Sequence, residues 1–326
     1  MAFLDIILNI LSSGLPCCLL ALGIFLTYRL LDFADLTAEG SFLIGAAICG
    51  TLICIGVNPF IATIAAVLSG AICGIITGVL NRYLKIPKLL SGIITLTATA
   101  SIALLIMGLA NNEGIFKPQV SFTISYNGPQ QTIYSLFFPW QYNETVGMYI
   151  TPSPWGDIIK IIVMLVVVSL AMIAIYFFFG TQYGMAIRAT GMNEKMAKAQ
   201  GINTNIATIT CIAISNALIG LAGALYVQEA KAVSAITASG YLVIGLASIL
   251  VGEAIFGKRS FKNWLISVAL GSIVYFIIVT IATRLGLPTE LKSLLYAILI
   301  TLALCIQLIK DFITKQKNKR LDRKGD

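Results

Sequence analysis

The feature that most constrains this chain is a series of long apolar runs that recurs from its first residues almost to its last. A helix needs about 20 mostly apolar residues to cross a membrane, and we count nine runs of roughly that length along the sequence. Hydrophobic residues make up 58% of the 326 positions and charged residues 11%, whereas a soluble domain is about one-quarter charged. The sequence therefore predicts an all-α polytopic membrane protein with about nine (8–10) transmembrane helices. The predicted segments are 5–31, 40–57, 59–80, 89–110, 157–180, 205–227, 241–257, 263–283 and 288–309.

Basic residues predict how these segments are oriented. We divide the chain into a transmembrane domain, residues 1–310, and a basic tail, residues 311–326, and seven of the 22 Lys and Arg residues lie between 310 and 326. Basic residues beside an apolar helix favour the cytoplasmic side and contact anionic lipid. We therefore expect a cytoplasmic C-terminus and membrane lipid, rather than nucleic acid, as the partner of the +8 net charge. Placing the tail inside also places on that side Arg29, Arg82, Lys85, Lys88, Arg188, Lys195, Lys198, Lys258, Arg259 and Lys262.

Two of the segments, 40–57 and 241–257, are short and rich in glycine. Short, interrupted helices in both halves of a transporter often line the substrate site near the membrane midplane. Residues 39–47 and 239–247 resemble each other weakly and run in opposite directions in the predicted topology, as in an inverted repeat. Acidic residues within membrane segments are usually functional. Each acid near these segments either sits in water at the inner interface or lines the translocation path. The candidates for the path are the acids Asp35, Glu39 and Glu253, together with Ser41.

Two other features predict contacts rather than chemistry. Gly70, Gly74 and Gly78 repeat every four residues, a spacing that lets two helices approach closely within the subunit or against a second copy. The longest polar stretch, residues 111–156, is predicted to lie outside. It is either an interfacial aromatic belt or a docking surface for an external partner.

Nothing in the sequence predicts an enzyme or a metal site. The chain has no histidine, and its seven cysteines lie in apolar runs without a CxxC spacing, which argues against zinc and against Ser-His or Cys-His catalysis. The run from Gly252 to Arg259 nearly matches a phosphate-binding loop, but Arg259 stands where a Ser or Thr must reach magnesium. Any ATP is therefore expected to be hydrolysed by another chain.

The most informative polar stretch is residues 183–205, YGMAIRATGMNEKMAKAQGINTN, between two membrane segments. Residues Met192 to Gln200 are predicted to form a short amphipathic helix, bracketed by Gly191 and Gly201. It is either a solvated connecting helix or a coupling helix that fits into a groove on an ATPase and transmits its closure as a rigid-body motion.

At this stretch the sequence resembles a family. The run GMAIRATGMNEKMAKAQGI is similar to the coupling segment of ATP-binding-cassette (ABC) importer permeases of the branched-chain amino acid and ribose type, and residues 20–42 and 245–261 resemble two further regions of that family. The variant with DLTAEGSF looks most like the permeases of tryptophan or tyrosine importers. On this resemblance, the ATPase-coupling candidates are Arg188, Gly191, Glu194, Ala197 and Gly201.

The resemblance implies a complex in a bacterial inner membrane. Its other parts would be a cytoplasmic ABC ATPase that binds ATP and magnesium, an extracytoplasmic substrate-binding protein and a second permease copy, in a homodimer. Two alternatives remain at this point. A secondary transporter or channel would explain the apolar helices without ATP, although not the polar stretch at 183–205. A membrane enzyme would need a catalytic constellation that the sequence does not offer.

Overall fold

The structure is a computed structural model that describes residues 2–110, 119–124, 132–134, 141–143, 148–150, 155–235 and 240–285, with the isolated positions 294, 295, 297, 298, 301 and 305. Most of the predicted external stretch 111–156, most of the ninth segment 288–309 and the whole tail 311–326 lie outside the described residues.

Within the described residues the chain forms ten α-helices and four short strands. The first helix continues into a π-helical turn, Leu26–Leu30. The helices are α1 Ala2–Phe25, α2 Thr37–Cys54, α3 Pro59–Arg82, α4 Lys88–Ala110, α5 Trp155–Gly180, α6 Gln182–Met192, α7 Glu194–Ala199, α8 Thr204–Ala230, α9 Tyr241–Phe256 and α10 Phe261–Arg284. The strands are β1 Ser121–Thr123, β2 Gln141–Asn143, β3 Met148–Ile150 and β4 Ala232–Ser234.

Length and hydropathy confirm the predicted class of an all-α polytopic membrane protein. In the described part of the chain, seven helices are long and apolar enough to cross a membrane, and α9 is a shorter apolar helix of 16 residues. The predicted number of nine is not confirmed, because the last segment is not described. The predicted short segments correspond to α2, which is shifted by three residues at each end, and to α9, which ends one residue earlier than predicted.

Local sequence explains where several helices begin. The side chain of Asn58 accepts a hydrogen bond from the backbone N–H of Phe60, and Pro59 occupies the first turn of α3, where its missing N–H costs nothing. Asn203 and Ser260 cap α8 and α10 in the same way. The phosphate-loop-like run Gly252–Arg259 ends α9 instead of joining a strand to a helix, as its sequence context predicted.

The helices differ in how deeply they are buried. About nine-tenths of the apolar window of α1 and most of that of α2 are enclosed, whereas α4 and α5 expose most of theirs. α1 packs against α8, α10, α5 and α9, and α2 packs against α8, α4 and α3. The exposed apolar faces of α4 and α5 are suited to contact with lipid, because lipid tails are as apolar as these side chains.

Small residues let α3 and α8 approach closely. A Cβ atom at Gly74 would lie 2.5 Å from the carbonyl oxygen of Ile212 and 2.8 Å from Cα of Ala213. Gly70 and Gly78 contact α8 in the same manner, at Asn216 and Ile209. The structure thus places the glycine ladder of α3 against α8 of the same chain.

The bundle has two distinguishable ends. The basic end carries Arg29, Arg82 and Lys88 together with α6 and α7. The ribbon end carries the antiparallel pair β1–β4, in which Phe122 faces Val233 and packs on Gly50 of α2. A second antiparallel pair joins β2 and β3. α9 runs only from the interior to the basic end. Its first residues contact the first turns of α2 inside the bundle, and its last turn contacts Arg29 at the basic end.

Candidate functional sites at the basic end and the bundle centre

The stretch predicted to couple to an ATPase forms two helices rather than one. Met192 ends α6, and α7 begins at Glu194. Asn193 separates the helices because its backbone is extended, with φ −155° and ψ 99°, and its side chain accepts the N–H of Met196 as an N-cap. The predicted single helix from Met192 to Gln200 is therefore wrong in its start, since an Asn side chain competes locally with helix continuation. Gly201 follows α7 with φ +81°, a conformation that favours glycine.

Charged contacts hold α7 against the bundle. The Glu194 carboxylate lies 2.7 Å from a guanidinium nitrogen of Arg82 on α3 and 2.9 Å from Nζ of Lys198. The hydroxyl of Thr204, the first residue of α8, donates to the same oxygen at 3.4 Å. The hydrogen bond from Lys198, together with the charge of Arg82, lowers the pKa of Glu194 below its ordinary value. Glu194 therefore remains charged at neutral pH and links α7 to α3 and α8.

The apolar side chains of this region are divided between the bundle and solvent. Ala197 is buried at 2% exposure. Met192 and Met196 are 88% and 59% exposed. We call the exposed side chains of Met192 and Met196 the methionine face. Methionine adapts readily to a partner's shape, which makes the methionine face a candidate contact surface.

Gly191 joins α6 to the end of the first membrane helix. A Cβ atom at Gly191 would collide with the carbonyl oxygen of Leu30 and would lie 2.8 Å from its carbonyl carbon and 2.9 Å from Cα of Leu31. Because all of these are backbone atoms, no side-chain rotation could make room. Arg188, one turn earlier, stacks its guanidinium over the ring of Phe261 on α10, 4.9 Å from the centroid. The coupling candidates thus contact α1 and α10 as well as α3.

A polar cluster lies near the middle of the bundle. Asn216, midway along α8, donates from Nδ2 to Asp35 at 2.7 Å and accepts from the hydroxyl of Ser41 at 2.7 Å. The backbone N–H of Thr37 donates to the other oxygen of Asp35 at 2.9 Å. All four residues are buried, and buried polar groups require such partners. Two of the predicted path residues, Asp35 and Ser41, are therefore brought together by an asparagine that the sequence analysis did not single out.

Glu39 faces the start of α9. Its carboxylate accepts the backbone N–H of Gly240 at 2.9 Å, and Gly240 has φ +99°. Beside this contact the rings of Phe42 and Tyr241 stack with centroids 4.2 Å apart, and Tyr226 packs edge-on against Tyr241. Glu39 is only partly buried. The two short helices therefore meet at the Glu39 carboxylate, beside these aromatic rings.

Glu253, the fourth predicted path residue, lies at the basic end and not in the central cluster. Its side chain is 3% exposed and pairs with Nη2 of Arg29 in the π-helical turn at 2.5 Å. The indole N–H of Trp264 on α10 donates to its other oxygen at 2.8 Å. Sequence reasoning missed Arg29 and Trp264 as partners of Glu253, since Arg29 is 224 residues away in the chain. The one sequence signal for this pairing was Arg29 itself, a basic residue near the end of an apolar segment.

This architecture defines a class before any comparison with other proteins. Seven long apolar helices and one short one, in the described part of the chain, surround buried carboxylate, amide and hydroxyl groups. Carboxylates enclosed by apolar helices are expensive and mark transport pathways. The chain is thus a multi-pass membrane protein of the transport class.

Comparison with known proteins identifies the family. The family described as "Branched-chain amino acid transport system / permease component" matches residues 6–304. The chain belongs to this permease family, which confirms the resemblance drawn from its sequence. No solved structure matches it.

Individual relatives differ in the solute that they are named for. A tyrosine transport system permease protein of Clostridioides difficile is 33% identical over 295 residues, covering 90% of this chain and 89% of the relative. A probable branched-chain amino acid transport permease protein of Methanocaldococcus jannaschii is 28% identical, covering 76% and 72%. The ribose import permease protein of Escherichia coli is 22% identical, covering 91% and 84%.

Proposed function

We propose that this chain is the membrane-spanning subunit of an ABC importer, moving an amino acid by alternating access driven by a separate ATPase. The observation that carries the proposal is the methionine face, exposed on helices that Glu194 anchors to α3 and Gly191 anchors to α1. Both methionines are exposed while Glu194 and Ala197 hold α7 against the bundle, which supports a contact surface over a solvated connector. A docking surface needs an apolar centre, and the attachment of both helices to the bundle would carry a partner's movement to the membrane helices.

In this mechanism the basic end faces the cytoplasm, as the positive-inside rule predicts. Closure of the ATPase pair displaces α6 and α7 as a unit, since transitions of this kind move rigid helices about their packing contacts. ATP and magnesium are held by the ATPase. This chain supplies the docking surface through the methionine face, and it supplies the membrane path. The coupling candidates Arg188, Gly191, Glu194, Ala197 and Gly201 position α6 and α7 beneath that surface.

The substrate path that we propose passes the meeting point of α2 and α9. Glu39 would contact the ammonium group of an amino acid, and Asp35 and Ser41 hold the adjacent start of α2 through Asn216. The stacked rings of Phe42 and Tyr241, with Tyr226 packed edge-on, form an aromatic cluster beside Glu39. Together with the name of the Clostridioides difficile relative, this supports an aromatic amino acid as the first substrate to test.

The remaining parts of the complex are also proposals, which the family resemblance supports. We propose that a second copy of this chain forms a homodimer in a bacterial inner membrane, with lipid against the exposed faces of α4 and α5. An extracytoplasmic binding protein would dock at the ribbon end, near the predicted external stretch 111–156. The C-terminal tail would lie in the cytoplasm.

The test is co-purification followed by reconstitution. The chain is tagged, extracted mildly from its native membrane and analysed by mass spectrometry, and we expect a stoichiometric ATPase with a complete phosphate loop. The complex is then placed in proteoliposomes with its binding protein, and uptake of radiolabelled tyrosine is measured with and without ATP. A preparation without ATPase in several detergents, and uptake that follows an ion gradient instead, would establish a secondary transporter and overturn the proposal.

Two variants test the coupling surface within that system. Arg188→Glu removes the stacking of Arg188 on Phe261, and Gly191→Pro inserts a ring against the Leu30 carbonyl. Both should retain ATP hydrolysis while losing uptake. Normal uptake in both variants would contradict the assignment of this segment to coupling.

A further inference from the structure

Glu253 was predicted from sequence as a residue of the substrate path, but its surroundings give it a different role. Its two carboxylate oxygens are occupied by Arg29 and by Trp264, and only 3% of its side chain is exposed. Its partners belong to the π-helical turn and to α10, at the basic end of the bundle. The group is therefore placed to hold helices together there and not to meet a solute at the centre.

The π-helical turn lies between this ion pair and the proposed coupling segment. Leu30 contacts Gly191 of α6 through its backbone, and the neighbouring Arg29 binds Glu253. Both contacts arise from one five-residue turn, Leu26–Leu30, whose widened backbone departs from the α-helix of α1. Such π-helical turns occur frequently at functional sites. A displacement of α6 thus reaches Arg29 through backbone atoms, without any flexible side chain between them.

α9 connects this ion pair to the centre of the bundle. Glu253 lies in its last turn and Gly240 caps its first turn. A helix of 16 residues spans about 24 Å at 1.5 Å per residue. The N–H of Gly240 binds Glu39 at 2.9 Å, and Tyr241 stacks on Phe42. A displacement of the Glu253 end of α9 would therefore also displace its first turn, which contacts Glu39.

We propose that the Arg29–Glu253 ion pair transmits the movement of the coupling segment to α9, so that the start of α9 moves against Glu39 when the ATPase closes. Arg29 and Glu253 are positioning residues in this account, since they act through α9 and do not touch the solute. The covalent route from α6 to α9 passes through all of α8 and β4, whereas the route through Leu30, Arg29 and Glu253 needs only two side-chain or backbone contacts. This inference rests on the proposed function.

The experiment measures α9 directly and requires no substrate. The variant Val243→Cys places a thiol in the first turn of α9, where Val243 is half-buried. Cys54 and Cys305, the cysteines that are not buried, are changed to alanine so that they do not react. The chain is purified with its ATPase in lipid nanodiscs, and the labelling rate with a fluorescent maleimide is compared without nucleotide and after trapping with ATP and vanadate. We expect trapping to change the labelling rate several-fold.

Variants then separate transmission from mere structural support. Arg29→Gln should abolish the change in labelling on trapping while ATPase binding and hydrolysis persist, and the exchanged pair Arg29→Glu with Glu253→Arg should restore it. Trp264→Phe is the matched control, because it removes the indole donor to Glu253 but keeps a ring packed on Phe25. It should leave the response in place.

Each result bears on the inference separately from the proposed function. Absence of any ATPase in the purified complex would refute the proposed function itself. With the ATPase bound and active, an unresponsive Val243→Cys chain, or an Arg29→Gln variant that responds like its parent, would overturn the role of the ion pair. A Trp264→Phe variant as unresponsive as Arg29→Gln, with no recovery in the exchanged pair, would instead assign Glu253 to general packing.

Discussion

Replacement of Gly191 by alanine tests whether α6 is rigidly attached to the first membrane helix. The new methyl group would meet the carbonyl oxygen and carbon of Leu30 and Cα of Leu31, all backbone atoms of a buried turn. Since a Cβ atom would lie 2.8 Å and 2.9 Å from the two carbons, and ordinary contact begins at 3.4 Å, the backbones must separate by at least about half an ångström. Forcing a methyl group into a packed site costs about 1–3 kcal/mol.

Gly180→Ala is the matched control for Gly191→Ala. No atom lies within 4 Å of a Cβ built at Gly180, the last residue of α5. Both variants change a helical glycine to alanine, so the gain in helix propensity partly cancels in the comparison. The difference of about 1–3 kcal/mol should appear as local opening of α6, about 5- to 150-fold in its equilibrium constant.

Amide hydrogen exchange of the chain in nanodiscs, followed by mass spectrometry, measures that opening. Peptides from residues 182–192 should lose protection by this factor in Gly191→Ala, and the same peptides in Gly180→Ala should exchange as in the parent. Equal protection of α6 in both variants would show that Gly191 does not bear on Leu30 as the structure has it, and would remove the contact on which coupling through the first helix depends.

Three further predictions concern the centre and the basic end. Asn216→Ala removes a hydrogen bond to the Asp35 carboxylate and should lower the free energy of unfolding in bicelles by about 1.5–3 kcal/mol; an unchanged value would contradict the cluster. Glu39→Gln should reduce ATP-driven tyrosine uptake about tenfold, as loss of a charged contact worth about 1.4 kcal/mol implies, and undiminished uptake would exclude Glu39 from the path. The pKa of Glu194 is lowered by Lys198, so its stabilising contribution is present above the ordinary value of about 4.3 and is lost as pH falls through the lowered pKa. Affinity for the ATPase should therefore show no step from Glu194 between about pH 5.5 and 8, and a step that Glu194→Gln abolishes would refute the ion pair.

The sequence was sufficient for the features that depend on local pattern. Apolar length located the membrane helices that the structure describes to within a few residues, because the membrane imposes a minimum length on each. Glycine content marked α2 and α9 as unusual, and the structure joins them at Glu39 and Gly240. Polarity between two apolar segments located α6 and α7.

The features that depend on distant pairing were not predictable in this way. Ser41 and Asn216 are 175 residues apart, and Arg29 and Glu253 are 224 apart, so no periodicity within either helix names the partner. The predicted helix was bracketed by Gly191 and Gly201 and so ran through Asn193, although an asparagine side chain can cap a new helix. The π-helical turn at Leu26–Leu30 leaves no mark in an apolar sequence.

The most direct test of the central claim is a site-specific cross-link from the methionine face. A photoreactive amino acid is placed at Met196, which is 59% exposed, and at Ile173, a control of similar exposure (52%) on the apolar face of α5. Membranes are irradiated in native cells, and the cross-linked polypeptides are identified by mass spectrometry. We predict that position 196 captures one cytoplasmic ATPase with a complete phosphate loop and that position 173 does not. Cross-links from position 196 to lipid alone, or to proteins without an ATPase site, would contradict the assignment of this chain to an ATP-driven importer.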